Sequence, residues 1–132
     1  MKTKTPKKRK PKTVAKLTKE AQEVFNAWIR RRDSVDGWFT CIACGRDFPI
    51  EDMNAGHYVP VKNSSLLRLD ERNAHGECRG CNCFDQFHLI GYRNRLIDKV
   101  GLSTVEYLEE NRRALKKWSR SELELIINQY KL

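Results

Sequence analysis

Apolar residues recur at helical steps in four stretches, separated by shorter segments with the spacing of strands and turns. From Leu17 to Arg32, Val24, Phe25, Trp28 and Ile29 make one apolar stripe, the mark of a helix with one buried face. Thr18 is placed to cap its start, and Arg30, Arg31 and Arg32 suit the negative end of its dipole. Past Cys81, the positions Phe84, Phe87, His88, Leu89, Tyr92, Leu96 and Val100 predict a second helix, ended by Gly101. Ser103 with Glu106 reads as a capping box for a helix through Val105, Leu108 and Leu115. Ser119 with Glu122 reads as another, for a helix through Leu123, Leu125, Ile126 and Ile127. Between the first two helices the chain shortens its period. Asp33 to Gly37 is a turn, Trp38-Phe39-Thr40 a short strand, and Val59-Pro60 and Leu66 to Leu69 are strand material flanking a polar loop, Lys62 to Ser65. The pattern predicts an α+β fold. Its parts are a disordered arm (1–16), a helix and turn (17–37), a core (38–101) and a C-terminal helical pair (102–132).

Charge changes the picture of what the fold meets. The chain has 132 residues and a formal net charge of +9, which points to a polyanion, with nucleic acid ahead of an acidic membrane surface. Lys7, Lys8, Arg9 and Lys10 lie in an arm without an acid. That arm cannot bury enough apolar surface to fold alone and reads as a strand of cations laid along phosphates, or as a solubilising tail. No apolar run approaches the ~20 residues of a membrane span, and no apolar stretch follows the basic start as in a secretion signal. The five cysteines are then expected in a reducing compartment, where pairs hold metal more often than they form disulfides.

Candidate chemistry concentrates between Cys41 and His88. Cys41 and Cys44, and again Cys78 and Cys81, have the two-residue spacing of zinc knuckles. Four thiolates close a tetrahedral site with no open position, which makes the expected Zn2+ structural. Cys83 breaks the pattern and is expected to stay free. All three histidines, His57, His75 and His88, fall in or just after the insert between the pairs. A neutral imidazole can act as a base near neutral pH, and a divalent ion with open positions can act as a Lewis acid.

The order Cys41-x-x-Cys44-Gly45, Ala55-Gly56-His57-Tyr58-x-Pro60, Asn73, then Cys78-x-x-Cys81-Asn82 resembles the HNH endonucleases. The wider wording is similar to the phage NinG/Rap recombination nucleases. It includes Arg30-Arg31-Arg32-Asp33, Leu67-Arg68-Leu69-Asp70-Glu71-Arg72-Asn73-Ala74-His75, and Tyr92-Arg93 before Gly101. The resemblance implies a zinc-stabilised ββα-metal core with His57 as general base, Asn73 bracing its loop, and Asn82 as a ligand to a catalytic Mg2+ or Mn2+. Many relatives of this kind have a carboxylate where this chain has Gly56, so a second ligand must come from His88, Asp85, His75 or, last, Asp52. Arg68, Arg72 and Arg93 are candidates for holding neighbouring phosphates bidentately, and Arg30 and Arg31 either bind phosphate or form a solvated helix end. The substrate implied is branched DNA, with a homodimer and a phage recombinase as partners, in the cytoplasm of an infected bacterium. Two rivals stay open: a non-catalytic zinc module that binds nucleic acid by charge, and an HNH nuclease of restriction or packaging.

Overall fold

A computed structural model describes residues 10–132. The predicted phosphate contacts of Lys7, Lys8 and Arg9 lie outside the described residues, while Lys10 is exposed. Helix α1 (Val14–Arg32) begins three residues earlier than the sequence pattern predicts. Thr13 is the cap, its hydroxyl accepting from the Lys16 amide at 3.2 Å, and Thr18 instead donates back to the Val14 carbonyl at 2.7 Å. Leu17, Ala21, Phe25 and Ile29 form its buried face, and each large apolar side chain there contributes about 1.5–3 kcal/mol. Trp28 is half-buried, edge-on to Tyr130.

Strands β1 (Trp38–Thr40) and β2 (Asp47–Pro49) pair antiparallel, with the first knuckle in the loop between them. Gly45 ends that knuckle at φ +74°, a conformation that favours glycine. Strands β3 (Met53–His57) and β4 (Ala74–Cys78) form a second antiparallel pair, with Gly56 opposite His75 and His57 opposite Ala74. Helix α2 (Arg79–Phe84) follows β4 without a loop, and the Cys78 sulfur accepts from the Cys81 amide at its start.

The connection from β3 to β4 contains no strand. Leu67–Leu69 and Glu71–Asn73 are single 3-10 turns, contrary to the strand predicted at Leu66–Leu69. The amide of Leu67 bonds to the Ser64 hydroxyl and that of Arg72 to the Asp70 carboxylate. Local side-chain bonds therefore take the place of a ladder.

The helix predicted from Phe84 to Val100 is broken. The Asp85 carboxylate accepts from the Phe87 amide at 2.9 Å, which closes a turn before α3 (His88–Val100). Phe84 and Phe87 are exposed, and the buried residues of α3 are Tyr92 and Leu96. Helix α4 (Leu102–Glu110) starts directly after Gly101. Ser103 thus sits inside its first turn, where it cannot be the cap, and the predicted box with Glu106 does not form. The helix ends before Leu115, which is exposed. Helix α5 (Arg120–Tyr130) opens with the predicted capping box of Ser119 and Glu122.

Two apolar clusters hold these elements. One joins α1 and α5 through Phe25, Ile29, Leu123 and Tyr130. The other joins β1, the cysteine knuckles, α3 and α4 through Phe39, Tyr92, Leu96 and Leu108. The β3–β4 pair contributes to both. Asp33, at the end of α1, ties the helix to the strands. It accepts from the Gly76 amide at 2.8 Å and pairs with Arg32 and Lys99. Burial works against its charge, but these bonds prevail and bring its carboxyl down to about 2.

Candidate functional site

The sulfurs of Cys41, Cys44, Cys78 and Cys81 all lie within 4.8 Å of one another. A tetrahedron with bonds of ~2.3 Å needs sulfurs roughly 3.8 Å apart, so the cluster can hold a metal such as zinc. The backbone prepares it, because the amides of Cys44 and Cys78 both point at the Cys41 sulfur. Burial pushes the Cys41 and Cys81 thiols up. At Cys44 burial is outweighed by hydrogen bonds from the Arg46 backbone and side chain, which bring it down to about 7. Cys83 is exposed, apart from the cluster, with its sulfur 3.6 Å from the Asn54 amide nitrogen.

A cleft of about 290 Å³ lies on the hairpin–helix unit, lined by Ala55, His57, Pro60, Val61, Asn82, His88 and Leu89. Three predicted site residues therefore meet: one from the end of β3, one from α2 and one from the start of α3. The His57 Nε2 is 3.1 Å from the Arg68 carbonyl. A carbonyl only accepts, so Nε2 carries the proton and Nδ1 keeps the lone pair. The Gln22 Nε2 lies 3.4 Å from the same ring nitrogen. It is a donor already bonded to the Arg68 and Asn26 oxygens, so this approach is not a hydrogen bond. Burial beside Phe25 lowers the His57 pKa, against the raising effect of the bonds to the Arg68 and Ala55 backbone. Asn73 is fully buried. Its amide accepts from the Val59 N–H at 2.9 Å and donates to the Val59 and Leu67 carbonyls, which fixes the chain leaving His57.

The remaining candidates lie elsewhere. His75 is buried and its ring is used within the fold: Nε2 donates to the Arg72 carbonyl at 2.9 Å and Nδ1 accepts from Arg32 at 3.1 Å. Burial, with Lys99 nearby, lowers its pKa to about 4. The sequence candidacy of His75 as a ligand is corrected on that ground. Asp52 and Asp85 line a different cleft, beside Arg46 and Cys78.

The whole chain, residues 1–132, matches the family model described as Bacteriophage Lambda NinG protein. Similar curated proteins include the Protein ninG of Salmonella phage P22, 35% identical over 85% of this chain and 53% of the relative. Those of Escherichia phage 933W and Escherichia phage lambda are 36% and 35% identical, each over 85% of this chain and 53% or 52% of the relative. The chain belongs to the NinG family. It spans about half the length of the curated relatives it matches. No solved structure matches it.

Within this NinG-family chain, two site features escaped the sequence reading. Gln22, on α1, holds the Arg68 segment against His57: its amide bonds to the Arg68 carbonyl at 3.1 Å and its oxygen accepts from the Arg68 guanidinium at 3.0 Å. Glu77, on β4, is fully buried, with one carboxylate oxygen 2.5 Å from His88 Nδ1 and the other without a partner among the described residues. Burial pushes its carboxyl up, against the lowering effect of His88. No signal in the sequence marked Glu77, because its burial follows from the strand register. The arginines also differ from a set of bare phosphate clamps. Arg72 is held by Asp70 and Arg93 by Glu109, each through two bonds, and Arg68 by Gln22. Arg30 and Arg31 have no acidic partner among the described residues, and Arg31 is exposed.

Proposed function

We propose that this chain is a metal-dependent DNA endonuclease of the HNH kind, hydrolysing phosphodiester bonds in branched recombination intermediates. The observation that carries the reading is the cleft shared by His57, Asn82 and His88, on an antiparallel pair that runs directly into a helix beside the cysteine cluster. The net charge of +9 agrees with a polyanionic substrate such as DNA. The donor set suits a divalent cation. Asn82 offers an amide oxygen, and His88 offers a ring nitrogen while its other nitrogen is held by a carboxylate, as in most metal-ligating imidazoles. Two protein donors leave room for water and phosphate, and with no carboxylate lining the cleft the phosphate would supply the negative charge that Mg2+ or Mn2+ prefers. When bound, such a cation supplies a Lewis acid for the charge on the phosphate and the departing 3′ oxygen.

The chain's own groups do the rest. The Arg68 carbonyl holds Nε2–H, so His57 takes a proton at Nδ1 from the attacking water as its oxygen bonds to phosphorus and the P–O3′ bond breaks. Asn73 keeps the backbone after His57 in place. Arg31 and the N-terminal cations lie along flanking phosphates and set orientation without reading sequence.

Nicking of supercoiled plasmid tests the reading. The expected result is open-circle product with Mg2+ or Mn2+, none with chelator, and a loss of at least ~100-fold in His57→Ala with DNA affinity unchanged. Equal cutting by wild type and His57→Ala would overturn the catalytic assignment. A wild-type chain that binds DNA and never nicks it would leave the non-catalytic zinc module. Junction, flap and linear substrates compared side by side separate recombination from the restriction and packaging readings.

A further inference from the structure

We infer that Glu77 is the positioning residue of the candidate metal site, standing in for the carboxylate that position 56 lacks. The inference rests on the nuclease reading above. Gly56 and Glu77 lie on the same face of the β3–β4 pair, since Asn54 is opposite Glu77 and Gly56 is two residues along from Asn54. A Cβ on Gly56 would collide with the Glu77 Oε1 and sit 2.8 Å from its Cβ. The space where a side chain at 56 would begin is therefore the space the Glu77 carboxylate occupies. Glycine at 56 leaves the room that the Glu77 side chain fills.

That acid reaches the site through His88. Its Oε2 lies 2.5 Å from His88 Nδ1, so Nδ1 carries the proton and Nε2 is the free nitrogen of a ring that lines the cleft with His57 and Asn82. A carboxylate behind an imidazole fixes both tautomer and ring orientation, and its loss typically weakens metal affinity 10–100-fold. Burial of Glu77 explains why it is not itself a cleft wall. Its unpartnered Oε1 is a cost that a merely structural residue would not need to carry, because an apolar side chain would fill the strand without it. Tyr92 closes the arrangement from α3, donating to the Gly56 carbonyl at 2.6 Å.

The experiment measures Mn2+ affinity by electron paramagnetic resonance on the zinc-loaded chain, for wild type, Glu77→Gln, His88→Ala and the double variant, with zinc content and circular dichroism as controls. The expected result is a 10–100-fold loss in Glu77→Gln, a comparable loss in His88→Ala, and no further loss in the double variant. Wild-type affinity in Glu77→Gln beside a weakened His88→Ala would overturn this inference alone. Additive losses would overturn it too, by making Glu77 act independently of His88. A wild type that binds no Mn2+ would overturn the nuclease reading and this inference together. Should Glu77→Gln lose its zinc, the tautomer of His88 decides, read by nitrogen-15 resonance in the wild type: a proton on Nδ1 supports the pairing and a proton on Nε2 overturns it. Gly56→Ala, whose methyl group must displace Glu77, is expected to move His88 to the other tautomer.

Discussion

Asn73 carries the loop after His57 on three side-chain bonds, all buried. Asn73→Ala leaves the Val59 amide and carbonyl unpaired away from water, and chemical denaturation is expected to show a loss of about 3 kcal/mol. Asp33 supports the same region from α1. Its carboxyl falls from 3.8 to about 2 on folding, so the unfolded chain binds its proton first as the pH drops. The stabilisation is full above pH ~4 and is lost as the pH falls towards ~2, amounting to roughly 2 kcal/mol. Asp33→Asn is therefore expected to lower stability by about that much at pH 7 and at pH 5, with the gap to wild type closing only below pH ~4. The lowered pKa of His57 puts the acid limb of any nicking activity below the ordinary imidazole value of about 6.5, and a pH–rate profile checks this. The four cysteines were legible in the sequence because their spacing is itself chemical information, whereas His57 and Asn73 stood out only through the resemblance of the words around them. Glu77 was not legible, because an acid before a cysteine reads as a solvated charge until the strand register buries it against Gly56.

At the scale of elements, the stripes of α1 and α5 were legible in part: Phe25, Ile29, Leu123 and Ile127 are buried as predicted, whereas Leu125 is exposed and Leu17, Ala21 and Tyr130 complete the two faces. The errors fell where local bonds compete with periodicity. Leu66 to Leu69 has the composition of a strand, but Ser64 and Asp70 bend it into 3-10 turns. Phe84 and Phe87 continue a helical spacing that the Asp85 turn interrupts, and the break brings His88 to the first position of α3. The cysteine cluster joins the β1–β2 loop to the start of α2, so metal binding there is part of the folding free energy. Zinc analysis is expected to find one ion per chain. Stripping it is expected to abolish the cooperative unfolding transition, whereas Cys83→Ser should keep both the ion and the transition.

At the scale of the whole molecule, the net charge of +9 is what the proposed reading relies on to draw a DNA partner. No helix among the described residues is long and apolar enough to cross a membrane. Deleting residues 1–10 removes Lys2, Lys4, Lys7, Lys8, Arg9 and Lys10 and leaves the Thr13 cap of α1 intact. The salt dependence of DNA binding should then flatten by up to roughly 5 in log–log slope, at about 0.9 per phosphate neutralised, and an unchanged slope would show that the arm makes no such contact. On the proposed reading, one cation and one imidazole share the cleft on β3, α2 and α3. Titrating Mn2+ into the zinc-loaded, isotope-labelled chain, and following the paramagnetic broadening of individual resonances, locates that cation. Early broadening is expected at His57, Asn82 and His88, with His75 broadened less. Broadening centred on Asp52 and Asp85, or none at His57, would contradict it.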